Sequence, residues 1–169
     1  MTEETVAEES NPVEAELLPL DPRQKSVLRL RAALLGLIPV ALLVVGDFFL
    51  SRELEWAAGI GTGIGILLYL FLVLVLPGRR YRRWGYYEGE RGIRIASGLI
   101  VRRDTIVPYD RVQHIDVSRG PIERSFGVST LTLHTAGSYN STVDLPGLAI
   151  DEANRMRDEI RSYISEDLA

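Results

Sequence analysis

The sequence predicts an α+β membrane protein in which a two-helix transmembrane hairpin is followed by an antiparallel β-barrel or sandwich that a C-terminal helix closes. Three observations predict this fold class: two long apolar segments in the first half, alternation of apolar and polar residues after them, and one amphipathic segment at the end. The chain has 169 residues, which leaves room for one ordinary domain with attachments.

Two apolar segments predict the hairpin. Residues 32–50 read AALLGLIPVALLVVGDFFL, and residues 56–76 read WAAGIGTGIGILLYLFLVLVL. At about 1.5 Å per residue, each can cross a hydrocarbon core about 30 Å thick. Only SRELE separates them, so the two helices are predicted to be antiparallel neighbours. A signal peptide is the alternative for the first segment, but the long acidic stretch before it and the lack of an evident cleavage site favour an uncleaved anchor.

Basic residues beside the spans predict the orientation. Four precede the first span and four follow the second, whereas Arg52 is the single basic residue between them. The flanking residues are Arg23, Lys25, Arg29, Arg31, Arg79, Arg80, Arg82 and Arg83. Because basic residues stay on the cytoplasmic side, we expect a multi-pass protein of the cytoplasmic (inner) membrane with both termini in the cytoplasm. Trp56 and Trp84 are expected to act as interfacial membrane anchors.

The rest of the chain divides into a tail and a domain. Residues 1–22 are acidic, contain no Lys or Arg and show no apolar periodicity, so they are predicted to form a disordered tail. The hairpin is assigned to residues 23–78, with helices at about 32–50 and 56–76, and a cytoplasmic β-rich domain to residues 79–165. Asp47, the one charge in the first span, is expected near the membrane interface, with an intramembrane function as the alternative.

Short runs rich in Val, Ile, Leu and Thr predict antiparallel strands in the domain. They are separated by turn signals and read GIRIAS, LIVRRDTIV, VQHIDVS, VSTLTLHT and STVDL, with an earlier strand at about 82–87. The last segment, Asp151 to Ile164, predicts an amphipathic helix. Its apolar face carries Ala153, Met156 and Ile160, and we expect this face to cover an open end of the sheet or barrel.

These residues carry a resemblance to a known family. The most specific segments are Ile106-Val107-Pro108, Arg111-Val112-Gln113 and GPIERSFG at 120–127. Together with the two preceding apolar spans, they resemble the bacterial PH-like domain of the YdbS-like membrane proteins over about residues 23–164. The resemblance implies a PH-like fold and membrane association, and it implies no reaction, because a fold alone does not establish a function.

A set of arginines is the candidate lipid-contacting site. Residues near an anionic membrane surface attract headgroups, so the expected lipid-surface contacts are Arg79, Arg80, Arg82, Arg83, Arg91 and Arg94. For the first four, topology alone would also require the charge. Arg91 and Arg94 resemble the basic first hairpin of eukaryotic PH domains only weakly.

Glycines at two-residue spacing mark the second span. Gly59 with Gly63 and Gly61 with Gly65 have the small-xxx-small spacing that lets helices approach closely. We expect them to serve helix packing, either within the hairpin or between subunits.

The remaining composition argues against several function classes. The chain has no Cys, and His114 and His134 lack metal-ligand spacing, so no metal, cofactor or catalytic residue is predicted. The domain is nearly neutral and its aromatic residues are not interleaved with arginines, which argues against nucleic-acid binding. We therefore expect a membrane-anchored, non-enzymatic interaction or scaffold module, with an anionic lipid headgroup sensor as the alternative. The expected partners are membrane lipid and either the protein itself or a related membrane protein.

Overall fold

The computed structural model describes residues 16–50, 59–136 and 142–166, without the side chains of residues 50, 165 and 166. Three helices come first: α1 (Gln24–Leu50), α2 (Ile60–Leu74) and α3 (Leu76–Arg82). The β-domain follows, with β1 (Gly85–Gly89), β2 (Gly92–Ser97), β3 (Arg103–Pro108), a 3₁₀ turn (Tyr109–Arg111), β4 (Val112–Ser118), α4 (Pro121–Phe126), β5 (Val128–Thr135), β6 (Thr142–Ala149) and α5 (Ile150–Glu166).

The two apolar segments form the helices that the sequence predicts. Gln24–Phe49 and the continuous stretch Ile60–Arg82 are long enough to cross a membrane, and each contains an 18-residue apolar window, with mean hydropathies of 2.3 and 2.4. The apolar window of the first helix is 0% buried within the chain, so its apolar side chains need a surrounding such as lipid to cover them. The first helix begins at Gln24 rather than near residue 32, because its first two turns pack on the β-domain.

The β-domain contains two antiparallel sheets with the strand orders β1-β2-β3 and β4-β5-β6. This confirms the predicted antiparallel β-rich fold in its sandwich form, since the described strands form two separate sheets rather than a closed barrel. Within β5, Leu131 and Leu133 are fully buried while Thr132 between them is not, as the alternation predicts. The predicted strand LIVRRDTIV is shorter than expected, because a loop occupies residues 98–102 and β3 begins at Arg103.

The C-terminal helix closes the β-domain as predicted. Ala153, Met156 and Ile160 are all 0% exposed and belong to one core cluster with residues of both sheets, including Ile93 and Leu133. Burying one helical face removes apolar surface from water at roughly 25 cal/mol per Å². The amphipathic spacing of α5 is therefore the sequence pattern of a core-covering helix.

The predicted disordered tail is wrong for its last residues. Leu18 pairs with Tyr86 of β1 through two backbone hydrogen bonds of 2.7 and 3.0 Å, and Leu20 is only 2% exposed. The acidic composition gives no indication of this packing, in which Leu20 is buried and Leu18, still 52% exposed, gains backbone hydrogen bonds to the edge of β1. Residues 1–15 of the predicted tail and residues 51–58, which include Trp56, lie outside the described residues.

Two details of the β-domain differ from the sequence prediction. Residues 82–87 were expected to form a strand, but Arg82 ends α3 and β1 begins at Gly85. The sequence also shows no predicted helix at Pro121–Phe126, where α4 forms. Pro121 suits a first helical turn because its missing N–H is not needed there, and Gly127 ends the helix with a positive φ of 72°.

Candidate membrane-facing site

The arginines after the second span lie on α3, which follows α2 toward the β-domain, and at its C-cap, Arg83; the four are called the arginines of α3. Arg79, Arg80, Arg82 and Arg83 are all exposed. The structure therefore brings these four predicted lipid-contacting residues together on one short segment.

Aromatic residues beside these arginines belong to the packing of the β-domain. The Tyr81 hydroxyl donates a 2.6 Å hydrogen bond to the carbonyl of Leu20. Trp84, predicted as a membrane anchor, is half-buried and packs against the core cluster. Both side chains therefore fix the β-domain against the base of the hairpin.

An ion pair joins the start of α1 to the β-domain. Arg31 donates to Glu123 Oε1 at 2.9 Å, and the same oxygen accepts a 3.2 Å hydrogen bond from the Thr130 hydroxyl. The other oxygen, Oε2, accepts a 2.8 Å hydrogen bond from the backbone N–H of Gly120. Glu123 is only 5% exposed, so its carboxylate is desolvated, and both of its oxygens accept hydrogen bonds. Arg31 directly precedes the apolar run of α1, which places α4 at the level where the span begins.

The first turn of α1 is buried against β6. Gln24 is 2% exposed and Val27 is 0% exposed. Gly147 makes this close approach possible, because a Cβ at this position would lie 2.6 Å from the Gln24 side chain. Its φ of +76° is also a conformation that side chains rarely adopt. Residues 16–31 are thus part of the β-domain packing and not a free leader to the span.

The register of the first sheet defines which end of it faces the hairpin. Gly85, directly after α3, pairs with Ala96, whereas Gly89 at the other end of β1 pairs with Gly92. The β1–β2 turn that carries Arg91 therefore lies about 13 Å along the strands from the α3 end, at about 3.3 Å per residue. The structure does not bring Arg91 together with the arginines of α3.

Arg94 is also separate from the arginines of α3. It lies within β2, and its guanidinium donates to both carboxylate oxygens of Asp104 on β3. This interaction holds the pKa of Asp104 below its ordinary value. The charge of Arg94 is therefore paired within its own sheet.

The β2–β3 loop (residues 98–102) lies at the α3 end of the same sheet. It exposes Ile100 to 94% and Val101 to 70% of their surfaces, next to exposed Arg102 and Arg103. The sequence predicts a strand at Leu99–Val101, so this exposed loop was not expected. The available signal was the Ser97-Gly98 pair, which marks a turn.

The glycines of the second span divide into two groups. A Cβ added at Gly61 would lie 3.0 Å from Asp47, and one added at Gly65 would lie 3.0 Å from Leu43. Gly59 and Gly63 have nothing within 4 Å of the same point. Gly61 and Gly65 therefore face α1, while Gly63 does not.

Gly36 of α1 makes a close contact that the sequence analysis missed. A Cβ at Gly36 would lie 2.8 Å from the ring of Tyr69, whose hydroxyl donates a 3.4 Å hydrogen bond to the carbonyl of Ala33. The available signal was Ala32, four residues before Gly36, which gives the small-xxx-small spacing within an apolar run.

Asp47 joins the two apolar helices at the end away from the β-domain. Its Oδ2 accepts hydrogen bonds from the Gly59 backbone N–H at 3.0 Å and from the Thr62 hydroxyl at 2.8 Å. Gly59 makes no side-chain cap of its own, so Asp47 supplies the N-terminal cap of α2 from the neighbouring helix. The carboxylate thus has a structural partner at the hairpin turn.

The two histidines meet on the outer face of the second sheet. Asp116 lies 3.1 Å from Nε2 of His114 and 3.2 Å from Nε2 of His134, and all three side chains are solvent-accessible. Among residues 16–50, 59–136 and 142–166, no group of three or more His, Asp or Glu residues is arranged to hold a metal ion.

A shallow cavity of about 410 Å³ lies at the end of the β-domain away from α3. Its lining is Arg91, Pro108, Tyr109, Asp110 and Tyr163. Burial raises the pKa of the Tyr109 hydroxyl above its ordinary range, and its ring lies 5.4 Å from that of Tyr163. Arg91 is thus part of this distal surface.

Two apolar helices, a two-sheet β-domain closed by a helix and the packing between them define a membrane-associated PH-like module. The family model described as a bacterial PH domain matches residues 32–164, and the chain belongs to this family. It is similar to the UPF0699 transmembrane protein YdbS of Bacillus subtilis (strain 168), with 32% identity over 124 residues, 73% of this chain and 75% of that protein.

A second relative shares a smaller part of the chain. The UPF0699 transmembrane protein YdbT of Bacillus subtilis (strain 168) is 27% identical over 82 residues, which are 48% of this chain and 17% of that protein. No solved structure matches the chain. The resemblance to the YdbS-like membrane proteins is confirmed.

Proposed function

We propose that the chain is a membrane-anchored, non-enzymatic PH-like interaction module at the cytoplasmic face of the membrane. The packing of residues 16–31 on the β-domain carries the proposal. Leu20, Gln24 and Val27 are buried there, and Arg31 pairs with Glu123. A domain held against its anchor in this way presents its outer surfaces in one orientation, which suits the recognition of a partner in the same membrane.

The edge of β3 is the surface that we propose for the partner. The β1 edge of the same sheet already pairs with Leu18. In the other sheet, the carbonyl of Gly147 on β6 accepts a 2.9 Å hydrogen bond from the N–H of Asp21. Among the described strands, β3 pairs with β2 alone. An open strand edge can accept an added strand through main-chain hydrogen bonds. Ile106, which is 46% exposed, adds an apolar contact on β3.

Site-specific photocrosslinking tests this proposal in the intact chain within its own membrane. A photoreactive amino acid at Ile106 should give a covalent adduct with a second copy or with a related membrane protein. The control places the same photoreactive amino acid at position 158 on α5, where the Asp158 side chain is 65% exposed. This position should not give that adduct. Adducts with lipid alone from position 106, or identical protein adducts from both positions, would contradict the proposal.

The second candidate is an anionic lipid headgroup sensor. It is supported by the four exposed arginines of α3, which directly follow the apolar stretch of the second span. Each basic residue near an anionic surface contributes about 1 kcal/mol, and salt weakens the effect.

Measurement of retained lipid distinguishes headgroup binding by these arginines from a role in membrane topology alone. In the intact chain purified in mild detergent, replacement of Arg79, Arg80, Arg82 and Arg83 by Gln should lower the amount of co-purified phosphatidylglycerol relative to phosphatidylcholine. Arg91→Gln is the control, because Arg91 lies at the far end of the sheet. Retention that is unchanged in the fourfold variant, or equally lowered in the control, would contradict headgroup binding by α3.

The orientation of the chain is part of the proposal. The arginines on both sides of the hairpin support cytoplasmic termini and location in the inner membrane. The chain has no Cys, so Ser162→Cys on α5 provides a single labelling site. A membrane-impermeant maleimide should label this cysteine only after the cells are permeabilised. Labelling of intact cells would contradict the orientation.

A further inference from the structure

The β2–β3 loop exposes two adjacent apolar side chains at its tip. Ile100, at 94%, is the most exposed large apolar residue in the part of the chain that the structure describes, and Val101 is 70% exposed. Isolated apolar residues are common on protein surfaces and need no explanation. Two neighbouring residues at the tip of a tight loop are a more specific feature.

The loop is held by a turn that requires glycine. Gly98 has a φ of +116°, and a Cβ at this position would lie 1.9 Å from the carbonyl oxygen of Val101. The last strand pair before the loop is Ser97 with Arg103. The loop is therefore a compact turn that projects Ile100 and Val101 beyond the end of the sheet.

The position of the loop suits contact with the membrane surface. Gly85, Ala96 and Asp104 are at the same level of the first sheet, so the loop lies at the end adjoining α3. The seven residues of α3 span about 10 Å between the end of α2 and the residues that lead into β1. The loop therefore lies at the end of the sheet that is connected to the second span through α3.

The charges around the tip favour an anionic surface. Residues 97–101 contain no acidic side chain, and the exposed residues Arg102 and Arg103 follow directly. The nearest carboxylate along the chain, Asp104, is paired with Arg94. Apolar residues with adjacent arginines are the combination that binds a lipid interface.

We propose that the β2–β3 loop inserts Ile100 and Val101 into the lipid interface beside the hairpin and places Arg102 and Arg103 against anionic headgroups. This inference rests on the proposed placement of the hairpin across the membrane. It makes the loop a second contact of the β-domain with the bilayer, at a separate place from α3.

Depth-dependent quenching tests the proposal in the full chain. Because the chain has no Cys, Ile100→Cys can carry a single fluorescent label after reconstitution into phosphatidylglycerol vesicles whose acyl chains are brominated. Leu67→Cys, 70% exposed on α2, is the control for the span, and Glu90→Cys in the exposed β1–β2 turn is the control for the distal end. We expect bromine to quench the labels at positions 100 and 67 several-fold more than the label at position 90.

The possible outcomes are distinct. Quenching at position 67 but not at position 100 would overturn the loop contact and leave the hairpin placement standing, whereas quenching at neither would overturn the placement itself. A label at position 100 that is shielded from aqueous iodide but not quenched by bromine would be covered by protein, which also overturns the proposal. In phosphatidylcholine vesicles, we expect weaker quenching at position 100. Equal quenching would overturn the role assigned to Arg102 and Arg103.

Discussion

The two ends of α1 are held by similar chemistry in different surroundings. Near its end, Asp47 accepts hydrogen bonds from a glycine N–H and a threonine hydroxyl of the second helical segment. At its start, α1 meets Glu123, which also accepts from a glycine N–H and a threonine hydroxyl and adds Arg31 as a cation. Glu123 is 5% exposed, whereas Asp47 is only half-buried. Desolvation, rather than the number of hydrogen bonds, should make the first end the more costly one to disrupt.

The largest effect is therefore expected for Glu123→Ala. The change leaves the Gly120 N–H and the Thr130 hydroxyl without their acceptor and Arg31 without its partner, and should lower the free energy of unfolding by about 2–3 kcal/mol. Denaturant unfolding in detergent, followed by Trp84 fluorescence in a Trp56→Phe background, measures this.

Arg31→Ala is the matched control for Glu123→Ala. The Arg31 side chain is 44% exposed, so its removal should cost less than removal of the buried carboxylate. The double variant should be less destabilised than the sum of the two single variants. Equal effects of the single variants would mean that the ion pair, and not the desolvated carboxylate network, dominates this end of α1.

The next effect concerns the seam between the two apolar helices. Gly65→Leu forces a large side chain against Leu43, whereas Gly63→Leu adds the same side chain at a point with nothing within 4 Å. We expect Gly65→Leu to destabilise the hairpin by about 2 kcal/mol through overpacking, with a much smaller effect at Gly63. Unfolding by sodium dodecyl sulfate in mixed micelles compares the two variants. A larger loss for Gly63→Leu would assign that glycine to an interface with another chain.

The opposite end of α1 is expected to be less sensitive. Asp47→Ala removes the cap of α2 and should cost about 1 kcal/mol, while Asp47→Asn keeps an acceptor oxygen and should cost less. The same mixed-micelle titration provides the measurement. A loss for Asp47→Ala that exceeds the loss for Glu123→Ala would reverse the comparison between the two ends.

These contacts differ in how far the sequence could have predicted them. Asp47 is conspicuous as the one charge in an apolar run, and its place near the hairpin turn was predictable from span length alone. Its partners were not identified, because the turn geometry sets which backbone N–H it meets. The contact between Glu123 and Arg31 gave no signal, since it joins residues 92 positions apart. Local patterns encode helices and strands but not long-range polar pairing.

Burial of the N-terminal segment shows the same limit. Leu18 and Leu20 lie in an acidic stretch that could not fold alone. Leu18 pairs with the edge of β1, and Leu20 is buried in the core of the β-domain. In contrast, the buried face of α5 and the alternation in β5 were predictable, because the period of apolar residues indicates which side of a helix or strand is buried. Ile100 was wrongly assigned to a strand, because an apolar run in an exposed loop cannot be distinguished from a strand by its local sequence.

The smallest effect is expected for an ionic network whose central arginine side chain is 48% exposed and makes more hydrogen bonds than Glu123. Arg155 on α5 donates to Glu152 and Glu159 of its own helix and to Glu88 of β1. Its guanidinium lowers the pKa of Glu152, so the contribution is present above the ordinary carboxyl pKa and is lost as the pH falls through the lower folded value.

Arg155→Ala should therefore cost only about 0.5 kcal/mol at pH 7, because solvent screens an exposed arginine. The difference from the unchanged chain should shrink below about pH 4, the ordinary range for a glutamate carboxyl. Unfolding at pH 7 and pH 3.5, with the Trp84 readout, measures both values. If Arg155→Ala cost as much as Glu123→Ala at pH 7, hydrogen-bond number rather than burial would determine the strength of these carboxylate contacts.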